Sequence, residues 1–214
     1  MGIKIPIETS ARHIHLSESD FKTLFGEDAV MTEVKELSQP GQYLSGQRVS
    51  VEGPKSTFQN MAVLGPFRKE SQVEISVTDA RKLGIPSVIR QSGDTAGTPG
   101  CILRGPKGSL ELKQGVIVAK RHIHMTPIDA IRLHVKDNES VFVLTKSYER
   151  ALIYADVIVR VHKDFRLAMH VDTDESNAFA NDKEPYGVII RLLEDMESYD
   201  IDQWMDDILN GINR

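Results

Sequence analysis

Two short stretches carry most of the chemistry in this chain: Arg-His-Ile-His at 12–15 and again at 121–124. On an extended strand, residues i and i+2 point to one side, so His13 and His15 can present two imidazoles to one ion while Ile14 turns into a core. His122 and His124 can do the same. Imidazole nitrogen suits zinc, copper, nickel or ferrous iron, and two such ligands fall one or two short of a full set, so others must come from elsewhere. A lone His-x-His is a loose signal, but two in matched surroundings point to a metal centre. Glu74, in "QVEIS", and His170, in "AMHVDTDESNA", are the candidates for the remaining ligands, because each sits in a β-like run that holds a side chain firmly. His134 and His162 lack a partner motif and read as structural or surface residues. Asp172 and Asp174 form a D-x-D that reads as a cap or turn after a strand rather than as a cation site.

The elements that position these pairs are repeated with them. Alternating Ile3, Ile5 and Ile7 make a strand before the first pair, with Pro6 marking an edge or chain-end position, and "GVIVAK" at 115–120 precedes the second. Each pair is followed by a helix start: Ser17 with Asp20, and Thr126 with Pro127 and Asp129. The offset is constant, since 122 − 13 and 124 − 15 both give 109 residues. The chain therefore reads as two related halves of ordinary domain size.

Between and after the pairs come short β-like runs: "QRVSVEG", "NMAVLG", "QVEISV", "SVIRQ", "CILRG", "SLELK", then "VFVLT", "ALIYADVIVRVH", "RLAMHV" and "GVIIRLL". Gly-Pro turns stand at 53–54, 65–66 and 105–106. Such spacing predicts small barrels or sandwiches rather than βαβ units. Short helices are expected over 18–25, 79–83, 127–133 and 147–151. From Glu194 onward, Ile201, Trp204, Met205, Ile208, Leu209 and Ile212 recur at helical spacing among acids, which predicts an amphipathic C-terminal helix. The fold class expected is mainly β, two small β-barrel domains capped by short α-helices, plus that C-terminal helix.

The 214 residues, 40% hydrophobic and 27% charged, describe a folded globular chain. A formal net charge of −5 argues against a dedicated nucleic-acid binder. No apolar run reaches membrane-spanning length, and the single Cys101 excludes an intrachain disulfide. With no signal-peptide core at the N-terminus, the cytoplasm is the expected location. A homo-oligomer is compatible with all of this.

At these residues the sequence resembles the PduL-type phosphotransacylases, the phosphate propanoyltransferase family. The matching pieces are "RHIHLS", "GPKST", "VLGPFRKESQVEIS", "TDARKLGI", "SGDTAGTPG", "GPKGSLELKQGVIVAKRHIHM" and "HVDTDESNA", spread from residue 3 to about 192. The resemblance implies two β-barrel domains, 12–119 and 120–192, with residues 1–11 contributed to the second and 193–214 as a helical extension. It implies exchange of a short acyl group between acyl phosphate and coenzyme A at two zinc ions. His13, His15 and Glu74 would surround one ion and His122, His124 and His170 the other, with Arg68 on the phosphate. Coenzyme A would lie along Thr9, Ser10 and Ala11, with Lys55 near its phosphates and Asn177 contributing. Two departures stand out: Met61 and Ala62 occupy positions where the family commonly carries Arg, and "TSARHIH" replaces "SNRHIH". Many relatives carry an N-terminal extension directing them into bacterial microcompartments; starting almost at its first strand, this chain is expected to be a free cytoplasmic enzyme. The mechanism expected is direct transfer from acyl phosphate to sulfur, with Cys101 a small buried residue and not a nucleophile. A cupin-like oxygenase, with iron at one three-His, one-Glu site per domain, and a non-catalytic metal-dependent binding module are the alternatives.

Overall fold

The computed structural model of the chain describes residues 3–146, 150–179 and 184–190. In chain order the first half contains β1 (Ile5–Thr9), β2 (His13–His15), α1 (Glu18–Phe25), β3 (Glu33–Glu36), β4 (Tyr43–Glu52), β5 (Thr57–Gly65), β6 (Gln72–Glu74), α2 (Val77–Leu83), β7 (Ile89–Arg90), β8 (Cys101–Arg104), β9 (Ser109–Leu112) and β10 (Val116–Ala119). The second contains β11 (His122–Met125), α3 (Pro127–Leu133), β12 (Ser140–Thr145), β13 (Ile153–Val161), β14 (Ala168–Val171), α4 (Thr173–Phe179) and β15 (Tyr186–Ile190). The architecture is mainly β, as the strand-like runs predict. Among the described residues, no helix is long and apolar enough to cross a membrane.

Contacts divide the chain into two compact units. Among the described residues, one takes 3–8, 121–146, 150–170, 177–179 and 184–190; the other takes Thr9–Lys120 and Val171–Ser176. The first is built on a closed barrel in the order β1-β14-β11-β13-β12-β15. Its interior follows from alternation: Ile5 and Ile7, Ile123 and Met125, Val157 and Val159, and Met169 are all at most 5% exposed. Closure leaves β1 with a neighbour on each side, so Pro6 lies within the barrel wall and not at an edge. The ladder continues past its missing donor because the Ile7 N–H donates to the Pro185 carbonyl at 2.9 Å.

The second unit is built on a curled nine-stranded sheet, β7-β10-β6-β2-β5-β4-β8-β9, with β3 added on β4. Ile14, Val63, Val73, Leu103 and Phe21 pack in one apolar cluster, each fully buried. Every residue of β3, sequence EVKE, is exposed, so this strand has no alternation to announce it.

Local chemistry sets the helices. Ser17 Oγ accepts from the Asp20 N–H, and both Ser76 with Asp79 and Thr126 with Asp129 form reciprocal capping boxes, with Pro127 in the first turn of α3. Gly84 ends α2 in the left-handed region at φ 78, which its missing Cβ permits. The helix expected from 79 begins two residues earlier, at Val77. α4 was not expected, yet it has its own box: the Glu175 N–H donates to Asp172 Oδ1 at 2.9 Å, and the Asp172 N–H donates to Glu175 Oε2 at 3.0 Å. The D-x-D at Asp172 and Asp174 therefore caps a helix. Residues 147–149 of the helix expected at 147–151, and the whole C-terminal helical extension, lie outside the described residues.

Candidate metal centre

In the curled sheet, β2 lies between β5, its parallel neighbour, and β6, its antiparallel one. The antiparallel register sets His13 opposite Glu74 and His15 opposite Gln72. Ile14 and Val73 point into the core, so the histidines and the glutamate share the opposite face. His13 Nε2 is 3.6 Å from Glu74 Oε2 and His15 Nε2 is 3.9 Å from Glu74 Oε1. These gaps exceed hydrogen-bonding distance, but one ion can span them, because two ligands each about 2.1 Å from zinc are at most about 4.2 Å apart. Among the described residues, this is the group of three whose donor atoms all lie within 4.8 Å of one another.

The tautomers fit the same role. His13 Nδ1 is 2.8 Å from the Ala11 carbonyl, which can only accept, so Nδ1 carries a proton and Nε2 is the atom turned toward Glu74; burial alone would lower this imidazole, but the Glu74 carboxylate beside it outweighs burial and raises it. His15 Nδ1 is buried with no hydrogen-bond partner. Burial, followed by the charges of His13 and Arg68, holds His15 well below the ordinary imidazole value, so it is neutral and its lone pair is available. For Glu74, burial alone would raise the carboxyl; the His13 charge beside it, then His15 and the Ser92 hydrogen bond, outweigh burial and hold it well below the usual carboxylate range.

Two residues missed by the sequence reading orient this carboxylate. Ser92 Oγ donates to Glu74 Oε1 at 2.7 Å, and Gln72 Nε2 donates to the same oxygen at 2.6 Å. The Gly93 N–H donates to Gln72 Oε1 at 2.7 Å, which fixes the amide. Arg68 Nη1 donates to Ser92 Oγ at 2.8 Å, so Arg68 stands one hydroxyl away from Glu74. Ser92 belongs to "SGD", a turn whose letters carry no sign of a partner 18 residues back.

The barrel unit repeats the strand arrangement, though its three histidines do not bring all their donor atoms within 4.8 Å of one another. β11 lies between parallel β13 and antiparallel β14, and the register sets His122 opposite His170. The ring centroids of His122, His124 and His170 are 4.6, 5.3 and 4.9 Å apart, with the Phe165 ring 4.3 Å from His124. His124 Nδ1 is buried with no hydrogen-bond partner. Burial, then the charges of His122, His170 and Arg160, push this imidazole down to about 2, so it too is held neutral. One histidine in each cluster, His15 and His124, thus offers an uncharged nitrogen donor, which is what a divalent ion requires of histidine.

The other candidate residues stand as follows. Thr9 Oγ1 shares a hydrogen bond of 2.6 Å with Ser176 Oγ, the Ser10 N–H donates to the Val171 carbonyl at 2.8 Å, and Ala11 holds His13 as described. Lys55 is exposed, its N–H donating to the Leu83 carbonyl at 2.9 Å, and Asn177 is exposed on α4. Met61 is a core residue 3% exposed, while Ala62 pairs with His13 in the parallel ladder. Cys101 opens β8 inside the apolar cluster, and burial raises its thiol to about 12. His134 is the left-handed cap of α3, and His162 Nδ1 accepts from the Asp164 N–H at 3.3 Å, structural roles in both cases.

Comparison with known proteins agrees with the resemblance in the sequence. The family model described as phosphate propanoyltransferase matches residues 6–182. A phosphate propanoyltransferase of Thermotoga maritima is 54% identical over 174 residues, 81% of this chain and 83% of that protein. Those of Listeria monocytogenes, at 48% over 187 residues (87% of each chain), and Salmonella arizonae, at 51% over 178 residues (83% and 84%), are similar along most of their length.

Proposed function

The chain belongs to the phosphate propanoyltransferase family, and on that premise we propose that it exchanges a short acyl group between acyl phosphate and coenzyme A by direct transfer. One divalent ion, read as zinc, is assigned to His13, His15 and Glu74, and a second to His122, His124 and His170. Arg68 is assigned to the phosphate, and coenzyme A to Thr9, Ser10, Ala11 and Lys55, with Asn177 contributing. The cytoplasm is the setting that suits a chain with one buried thiol.

The observation that carries this reading is the convergence of His13 Nε2 and His15 Nε2 on Glu74, with Arg68 held one hydroxyl away through Ser92. When bound, such an ion supplies two things: it lowers the pKa of a coordinated thiol and it acts as a Lewis acid toward carbonyl or phosphate oxygen. The chain's own residues do the rest. The neutral imidazoles of His15 and His124 and the ionised Glu74 carboxylate keep those donors ready without a proton to remove first. The planar, permanently charged fork of Arg68 makes paired hydrogen bonds to phosphate oxygens and offsets their charge as the group leaves. In the forward exchange the coenzyme A thiol gives up its proton to water or the departing phosphate, its sulfur forms a bond to the acyl carbonyl carbon, the bond from that carbon to the phosphate oxygen breaks, and the electron pair departs with phosphate. No protein nucleophile is needed, and Cys101, buried and protonated, is unsuited to be one.

The test is direct. Zinc-replete protein is mixed with coenzyme A and acetyl or propanoyl phosphate while thioester absorbance is followed; absorbance rising with protein concentration supports the reading. Absence of turnover with every short acyl phosphate tried would overturn it in favour of a binding module.

A further inference from the structure

The three imidazoles of the barrel unit have a neighbour that neither the repeat nor the resemblance points to. In the barrel order, β14 stands between β1 and β11. Each of these strands turns its apolar residues inward: Ile5 and Ile7 on β1, Met169 on β14, Ile123 and Met125 on β11. By alternation each turns a donor outward, Glu8 on β1, His170 on β14, and His122 with His124 on β11. His170 is thus flanked by His122 on one side and by Glu8 on the other. Glu8 Oε2 lies 3.9 Å from His170 Nε2. That is the separation between His15 Nε2 and Glu74 Oε1 in the curled sheet.

We propose that Glu8 is a fourth donor to the His122, His124 and His170 cluster, so that this site holds its divalent ion with three nitrogens and one carboxylate oxygen. The proposal rests on the two-ion reading above. Its physical basis is spacing and charge. A gap of 3.9 Å is too long for a hydrogen bond and within the span of two atoms bonded to one zinc-sized ion, at most about 4.2 Å. Three imidazole ligands leave the full double charge of the ion uncompensated, and Arg160, paired with His124 in the β11–β13 ladder, adds another positive charge beside it. The Glu8 carboxylate halves the ion's charge at the site. In the curled sheet Glu74 already does so from the strand next to its histidines, whereas the barrel site draws its carboxylate from one strand further away. As placed, no three of Glu8, His122, His124 and His170 bring their donor atoms within 4.8 Å of one another, so ligation draws the side chains together; Glu8, with 37% of its side chain accessible, can make that movement. The chemical class of ligand is a borderline divalent cation served by mixed nitrogen and oxygen donors.

The experiment compares full-length protein with its Glu8→Gln variant, both stripped of metal by a chelator and dialysed. Zn²⁺ is titrated in competition with a chelator of known affinity at pH 8, and Co²⁺ is titrated in parallel while its visible absorption is followed. The expected result is two equivalents in the wild type. In Glu8→Gln, one equivalent should be unchanged and the other bound about 10- to 100-fold more weakly, with an altered Co²⁺ spectrum for that equivalent alone. Glu8→Gln keeps the shape of the side chain and the backbone ladder of β1, and an unchanged melting temperature of the metal-free protein confirms the fold. If the wild type binds two equivalents and Glu8→Gln binds both within twofold of it with the same Co²⁺ spectrum, Glu8 is only the partner of a surface ion pair and the proposal is overturned while the two-ion reading stands. If the wild type binds a single equivalent, both fall.

Discussion

His13 and Glu74 face each other across the antiparallel β2–β6 ladder, His13 Nε2 3.6 Å from Glu74 Oε2, and His122 and His170 occupy the equivalent register across β11–β14. A donor pair fixed by strand register is held by the backbone on both sides, so its geometry is set before any ligand arrives. Replacing Glu74 with Gln, which cannot supply a charged oxygen, is therefore expected to reduce zinc content by one equivalent per chain. Elemental analysis of gel-filtered protein reads the change; retention of full zinc content would remove Glu74 from the site.

Arg68 should show its role in the kinetics. Charge-assisted hydrogen bonds are worth about 1.5–3 kcal/mol, roughly 10- to 150-fold in affinity. Arg68→Ala is expected to raise the Michaelis constant for phosphate by about that factor and to leave that for acyl coenzyme A within a few-fold. Equal increases in both would show that Arg68 does not select phosphate.

Ser92 offers a finer test, since its hydroxyl accepts from Arg68 and donates to Glu74. Ser92→Ala removes both bonds, and the 3.1 Å bond that the hydroxyl accepts from Gln72 Nε2, while leaving every proposed ligand in place. Loss of such a partner typically costs 10- to 100-fold in metal affinity, so zinc affinity should fall by about tenfold, with Ser92→Thr recovering most of it. Zinc affinity in Ser92→Ala equal to that of the wild type would mean that Gln72 alone orients the carboxylate.

The thiol of Cys101 is pushed up to about 12 by burial. At pH 8 its thiolate fraction is then on the order of 10⁻⁴, and only the thiolate reacts with iodoacetamide. Alkylation of the folded protein should be slow and should accelerate by orders of magnitude in denaturant, as mass spectrometry can follow. The linkage has a definite sign: the folded state binds this proton more tightly than the unfolded chain, so its contribution to stability is complete below the unfolded value near 8.5 and is lost as pH rises toward 12. Cys101→Ala should leave acyl transfer intact. Loss of transfer with metal content unchanged would replace the direct route with a covalent one.

What the linear chain determined by itself was what is encoded over a few residues. The start of α1 at Glu18 and of α3 at Pro127 could be read because Ser17 with Asp20 and Thr126 with Asp129 make their hydrogen bonds three positions apart. The strands holding the two His-x-His pairs were legible for the same reason, since alternation between core and surface has a period of two. The same rule, applied to Asp172 and Glu175, would have found α4. Glu74 and His170 stood out as candidates from their β-like runs, but which histidines each would join came from a family likeness rather than from spacing, because 61 residues separate His13 from Glu74 and 48 separate His122 from His170.

Tertiary structure alone decided which strands became neighbours. Parallel pairing of β2 with β5 and of β11 with β13, closure of one sheet into a barrel while the other curls without the same closure, and the arrival of Gln72 and Ser92 at one carboxylate oxygen all depend on register between distant segments. Register is chosen by the packing of a whole face at once, and no short window of sequence contains that sum. The charged strand β3 and the partnership of Glu8 with His170 belong to the same class: each is a consequence of the neighbour, and the neighbour is a property of the fold.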